Sequence, residues 1–419
     1  MTELNFEALK KAVAEDGAAF RVVTDLHPAG GDGDKVFPPT YQGGVYAWET
    51  RIINGERVRC VLLDSVQSQA NRLELKLLEW HRSAPRGRKP FPLVQIDFSG
   101  TDVAEVGLFS ALEAPHRIAD AVFLASTIVE NGKEKPFRHP KDPKKESALG
   151  GIVEKSTVSD ATGLFGLCPT ALIFGMWDSH GARGGLGEKF QRALVSEIIG
   201  VDATEDGRRP ASRVDPLIKV AGENLKIAIE SDKTWKFDPK GKNKLSEAGL
   251  GNVTPSLELP PNQRAGAESK YNHGGVSVRF ARQISVLSLP ALRRLRFPLD
   301  GGKDASLPAG MTLASLALAA IARQWKTGFS LRSRCDLVPA GNMRLELVRP
   351  GASEEFLLPS EAAEQLVYQC AEEAHKAGLP WPPLRSTDPW RDGELTLRPN
   401  AELVKVIAES RRLAMEQRE

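Results

Sequence analysis

Hydrophobic and polar positions change period several times along this chain, which predicts helices and strands in mixed order. Residues 3–17 carry an amphipathic helical pattern, and Phe20–Leu26 reads as a strand. Val45–Ile53 and Arg57–Leu63 flank Asn54-Gly55, the dipeptide favoured in a tight hairpin turn. Asp64 or Ser65 then caps a helix running to about Trp80. Within it Val66, Ala70, Leu73, Leu77 and Trp80 make one apolar stripe. Leu93–Phe98 reads as a strand, and Ser110–Ile128 as a helix with Pro115 near its first turn or kinking it. Ala171–Trp177 is apolar throughout and reads as a buried strand. Residues 188–199 read as a helix, or as a helix running into a strand.

Two stretches break the pattern. Residues 131–147 are polar, contain proline and read mostly as loop. From 205 to 272 glycine, proline, lysine and asparagine are frequent and periodicity is weak, which marks an insertion. Order returns with the strand Val276–Leu287, the short basic helix Pro290–Arg296 and the helix Met311–Trp325. Phe329–Val338 and Met343–Val348 read as a second hairpin around Ala340-Gly341-Asn342. Helices near Glu361–Lys376 and Ala401–Met415 close the chain, separated by a Trp/Pro-rich linker. Strands mixed with helices, with hairpins at both ends, favour an α+β fold over a doubly wound parallel sheet.

Composition adds what the pattern leaves open. The chain has 419 residues and 41% hydrophobic and 26% charged positions, enough for a large core without metal or disulfide staples. Its longest nearly apolar stretch, Met311–Ala322, is shorter than the roughly 20 residues that cross a bilayer, and its N-terminus shows no apolar signal region. Cys60, Cys168, Cys335 and Cys370 lie far apart, which argues for a reducing cytoplasm and against a zinc site. The net charge is only +2, yet Lys270–Leu299 holds six Lys and Arg and no Asp or Glu. Concentrated basic stretches in a balanced protein suit a polyanion-binding surface; solubilising charge on exposed loops is the plainer alternative.

Candidate chemistry is of the binding kind. Gln67, Ser68, Asn71 and Arg72 gather near the start of the helix after Ser65, where exposed N–H groups favour a phosphate. They supply hydrogen bonds to sugar and phosphate without reading bases, although an ordinary polar helix face explains them equally simply. His116 and Arg117 suit a phosphate contact or a packed turn; His116 as a general base has no sequence-adjacent nucleophile or orienting partner. Residues 177–187 follow an apolar run, and Gly184, Gly185, Arg183 and Lys189 there suit a phosphate loop or a structural turn. The loop lacks a P-loop ending, a dinucleotide fingerprint or a nucleophile elbow. Arg279 and Gln283 fall on one side of the strand Val276–Leu287, opposite Val278, Phe280, Ile284 and Val286. Arg282 falls on that apolar side, which requires a bulge or an incompletely buried face. The seven histidines show no metal-ligand spacing, and the carboxylates form no recognisable metal set.

Four stretches in order, LDSVQSQANRLE (63–74), GLFSALEAPHRIADA (107–121), TALIFGMWDSHG (170–181) and RQISVLSLPALRRLRFP (282–298), resemble one family. It is the large backbone subunit, of the Cas-seven group in the RAMP superfamily, of the type I-G (formerly I-U) CRISPR interference complex. The resemblance spans about residues 20–350. It implies a modified RRM-like (ferredoxin-like) palm from residues 1–204 and 273–350, an inserted finger-like region at 205–272, a thumb loop, and a C-terminal helical segment at 351–419. It further implies head-to-tail copies along CRISPR RNA, alongside other Cascade subunits, with guide pairing to target DNA reading the sequence while protein grips the backbone. No cofactor, membrane or catalysis is implied. Gln67, Ser68, Asn71, Arg72, His116, Arg117, Arg183, Lys189, Arg279, Arg282 and Gln283 become the expected RNA-backbone contacts. Arg72→Ala and Arg282→Ala are accordingly expected to weaken binding to all RNA sequences alike. The alternative is an RNA-processing endoribonuclease using His116 or His180 as general base.

Overall fold

The computed structural model describes residues 2–416 apart from 43, 131, 140–143, 179–188, 208–212, 219–223, 254–272 and 385–388. Helix α1 (Phe6–Ala14) starts at Asn5, whose side chain accepts from the Ala8 N–H. A large sheet follows from β1 (Ala19–Pro28), β2 (Trp48–Ile53), β3 (Glu56–Asp64), β4 (Leu194–Val201), β5 (Phe280–Ser288), β6 (Leu345–Arg349) and β7 (Ala352–Leu357). Its strands lie in the order β7-β6-β1-β5-β4-β3-β2 with every pair antiparallel, and Thr2–Glu3 adds a parallel edge to β7. Asn54 and Gly55 both take positive φ, 53° and 84°, in the β2–β3 hairpin their residue types predict.

Helix α2 (Val66–Ser83) packs on one face of this sheet, as does α4 (Ser306–Thr327), and the two touch each other; the short α3 (Pro169–Phe174) packs against α4 and β4. Helix α4 is rich in alanine, so α1, α2 and α5 (Ser360–Lys376) approach it closely. By length and composition alone α4 would cross a membrane, but 78% of its most apolar window is buried inside the protein, as in a core helix. A second sheet runs Leu108–Ser110, Leu93–Asp97, Glu394–Pro399, Ser126–Glu130, Lys133–Pro136. The C-terminal section therefore supplies strands to both sheets as well as α5 and α6 (Ala401–Glu416). The four cysteines are buried and unbridged.

Several expectations are corrected. The helix expected at 110–128 is instead a strand, a one-turn helix at Arg117–Ala119, a short helix at Ala121–Leu124 and a strand from Ser126. Pro115 and the positive φ of Arg117, 55°, forbid a continuous helix there. The apolar run Ala171–Trp177 is mostly helix: Pro169 occupies its first turn and Gly175, at φ 85°, ends it. The stretch 188–199, expected to begin as a helix, contains the strand Lys189–Phe190 and the start of β4 from Leu194, residue 188 lying outside the described residues. The second hairpin joins different partners. Phe329–Arg332 pairs with Cys335–Pro339, β6 pairs with β7, and Cys335–Pro339 and β6 both pair with β1 rather than with each other.

The insertion after β4 leaves and returns through a two-stranded stem, Thr204–Gly207 against His273–Ser277. Inside it, Lys226–Ile229 pairs with Trp235–Phe237 on one side and Asn243–Lys244 on the other.

Candidate nucleic-acid interface

Strand β3 ends in a buried carboxylate, Asp64, and the chain turns directly into α2. Ser65 caps the helix, its hydroxyl accepting from the Ser68 N–H at 3.3 Å. Asp64 instead receives Gln69 Nε2 at 2.6 Å and Arg72 Nε at 2.9 Å. Arg72 also donates to the carbonyls of Ser330, at 3.0 Å, and Leu331. It braces α2 against the strand after α4 and lines a separate recess with Leu75 and Lys76. The helix face read from the sequence is thus divided, and only Gln67 and Asn71 open onto the groove described next.

That groove has a volume of about 790 Å³. Gln67 and Asn71 form one wall; Pro115, His116 and Arg117 form the second; Gly175–Trp177 and Lys189–Arg192 form the third. Trp177 and Lys189 are directly paired across a short antiparallel ladder, and the Lys189 ammonium lies 4.3 Å from the Trp177 ring centroid. The loop this ladder closes contains Arg183 and His180, which lie outside the described residues. Its root is tied down where Arg138, wholly buried, pairs with Glu154 at 2.9 Å and with Asp178. Gly175 is required: a Cβ there would stand 3.0 Å from the Phe190 carbonyl oxygen and 3.1 Å from the Arg192 nitrogen.

Arg117 forms the floor. It is only 6% exposed and holds Glu74 through Nε–Oε1 at 2.6 Å and Nη2–Oε2 at 2.7 Å, while Nη1 donates to the Gly175 carbonyl at 2.9 Å. Burial pushes the Glu74 carboxyl up to about 7 against the opposing pull of Arg117 and Arg192. Arg117 therefore serves the groove by joining α2, the 116–117 turn and the end of α3. His116 is exposed on the rim, its backbone N–H donating to Asp120 at 3.1 Å. Among the described residues the lining contains amides, an imidazole, cations and apolar groups, but no carboxylate, hydroxyl or thiol side chain. No group of three or more His, Cys, Asp or Glu among the described residues is placed to hold a metal ion.

The remaining candidates lie elsewhere. Ser68 is half-buried beside the cap. Residues 278–279 fall outside the strands on either side, His273–Ser277 and β5, and along β5 the side chains alternate regularly between the two faces of the sheet. Ala281, Gln283, Ser285 and Leu287 face the core, and Phe280, Arg282, Ile284 and Val286 form the outer face. Gln283 is wholly buried, which corrects its placement on an exposed face. Its Nε2 donates to Gln69 Oε1 at 3.0 Å and Gln324 Oε1 at 2.8 Å, clamping α2 and α4 onto β5. Arg282 takes Asp25 bidentately at 2.7 and 3.1 Å on the neighbouring strand. Arg279 is exposed, 3.9 Å from Asp202 and stacked near Phe280. The sequence reading missed Gln191 and Arg192; their signal was a basic and an amide residue immediately after the aromatic Phe190, on a strand end rather than in a helix. Gln191 accepts from Arg294 at 3.0 Å, so the acid-free basic segment reaches the groove edge through it.

Residues 20–205 match the model of a family described as CRISPR-associated protein GSU0053. No curated protein matches the chain. The crystal structure of Csc2 from Thermofilum pendens aligns with 90% of this chain and 82% of its own at 12% identity, with a TM-score of 0.26. At that score the likeness carries no argument, and the matched family segment is the more informative relation: it contains all three walls of the groove.

Proposed function

We propose that this chain is a non-catalytic backbone subunit of a CRISPR effector complex, of the Cas-seven group and of type I-G, that grips guide RNA without reading its sequence. The observation that carries this reading is the convergence of the 63–74, 107–121 and 170–181 stretches on one groove lined by Gln67, Asn71, His116, Lys189 and Arg192. Cations neutralise phosphates and amides hydrogen-bond phosphate or 2′-OH, a mixture suited to a sugar-phosphate backbone. The order β6-β1-β5-β4, with α2 and α4 on one face, is that of a βαββαβ unit, and it supports an RRM-like palm. In this reading the protein works in the cytoplasm, in head-to-tail copies with other subunits, and the RNA pairs with target DNA.

The test uses two fluorescein-labelled RNAs of unrelated sequence. Their dissociation constants should agree within about threefold, rise steeply with salt, and leave the RNA uncut. Cutting that disappears in His116→Ala would replace this reading with the endoribonuclease, and absence of binding at low salt would remove it.

A further inference from the structure

The three-stranded module inside the insertion has a very small core, Ile227 and Leu245. Its two largest apolar side chains are nevertheless outside: Trp235 is 47% exposed and Phe237 is 64% exposed. They are two apart on one strand, cross-strand from Ile229 and Ile227, and so share one face about 7 Å apart along the strand. Between Lys226 and Lys244 the module carries six lysines against three acidic residues. Lys233, Lys236, Lys240, Lys242 and Lys244 are all exposed. Lys236 lies 3.2 Å from Glu230, but that pair is open to solvent and weakly held.

We propose that Trp235 and Phe237 form a stacking platform for single-stranded nucleic acid, separate from the groove. Exposed rings at alternate strand positions offer flat faces to unpaired bases, and the surrounding ammonium groups fit the phosphates that come with them. The positive surround favours a polyanion over an apolar protein segment. A duplex fits poorly, because its bases are already stacked and their faces are unavailable. Stacking on a base face does not involve the sugar, so DNA and RNA strands should bind alike. This goes beyond the proposed grip on guide RNA and does not depend on it.

The test uses the full chain carrying Lys189→Glu and Arg192→Glu, which disables the groove, and a 5′-fluorescein dT15 probe followed by anisotropy. Adding Trp235→Ala and Phe237→Ala should weaken dT15 binding at least tenfold, whereas Trp235→Phe with Phe237→Tyr should keep most of it. Binding of rU15 should match dT15 within about threefold, and a 15-base-pair duplex should bind at least tenfold more weakly. Tryptophan emission should fall on adding dT15 and lose that response in Trp235→Phe. Unchanged dT15 affinity in the double alanine variant overturns the platform, as does equal affinity for the duplex. A face that instead docks a protein would leave dT15 affinity unaffected by these substitutions, which is the overturning result. Loss of guide binding in the groove variant bears only on the groove, so the two proposals fail separately.

Discussion

The guanidinium of Arg117 holds the carboxylate of Glu74 through two parallel hydrogen bonds of 2.6 and 2.7 Å, beneath a groove that neither residue's neighbours in sequence would reveal. The pair ties α2 to a turn 43 positions further along the chain, and a third bond from Arg117 reaches Gly175. Removing one partner leaves the other buried and uncompensated. Glu74→Ala or Arg117→Ala should therefore lower unfolding free energy by about 3–5 kcal/mol, measured by urea denaturation. A loss under about 1 kcal/mol would mean that the groove floor is not built this way.

Two buried groups oppose each other in acid. His81 packs against Phe91 with ring centroids 5.0 Å apart, and burial, with Lys89 nearby, drives its pKa down to about 3. Below pH about 6.5 the unfolded chain takes up a proton that the folded chain refuses, so this group's stabilisation is present above pH 6.5 and lost as pH falls. Glu74, raised to about 7, has the opposite sign: its contribution is full below the unfolded carboxyl value and lost as pH rises through 7. Between pH 6.5 and 4.5 the stability of His81→Phe relative to the native protein should rise by about 1.4 kcal/mol for each unit of acidification. Parallel pH–stability curves for the two proteins would contradict the buried neutral imidazole.

Lys189 and Arg192 bring cationic charge to the groove from either side of Phe190. Lys189→Ala and Arg192→Ala should each weaken RNA binding equally for unrelated sequences and reduce the slope of log K against log salt by about 1. A change in base preference in either variant would show that the groove reads sequence.

Arg72 behaves differently once its partners are known. Its bonds to Asp64, Ser330 and Leu331 make it a brace, so Arg72→Ala should cost about 1–3 kcal/mol of stability and leave the salt slope of RNA binding unchanged. This replaces the affinity loss expected from the sequence. A folded variant with native stability and a reduced salt slope would restore the phosphate contact.

Where a feature depends on neighbouring residues, it is legible in the chain. Asn54-Gly55 requires left-handed backbone and makes the β2–β3 turn, and the stripe from Ala70 to Trp80 lies against the core as its spacing dictates. The weak periodicity after 204 coincides with a stem at Thr204–Gly207, because an insertion that returns to its own start needs only a short ladder to close it. The polar residues near the start of α2 were visible, but not their separation onto two sides of the helix, since that depends on where Asp64 and the Ser330 carbonyl lie.

By itself, then, the amino-acid order determined the α+β alternation, the hairpin at 54–55 and the long helices, all of which follow from spacing, caps and turn residues within a few positions. Tertiary structure alone decided that Ala171–Phe174 coils, that β5 turns Gln283 inward, and that three distant stretches share a groove. An apolar run satisfies helix and strand equally. Alternation along a strand leaves open which of its two faces meets the core, and contacts across tens of residues are selected by packing that no local pattern records.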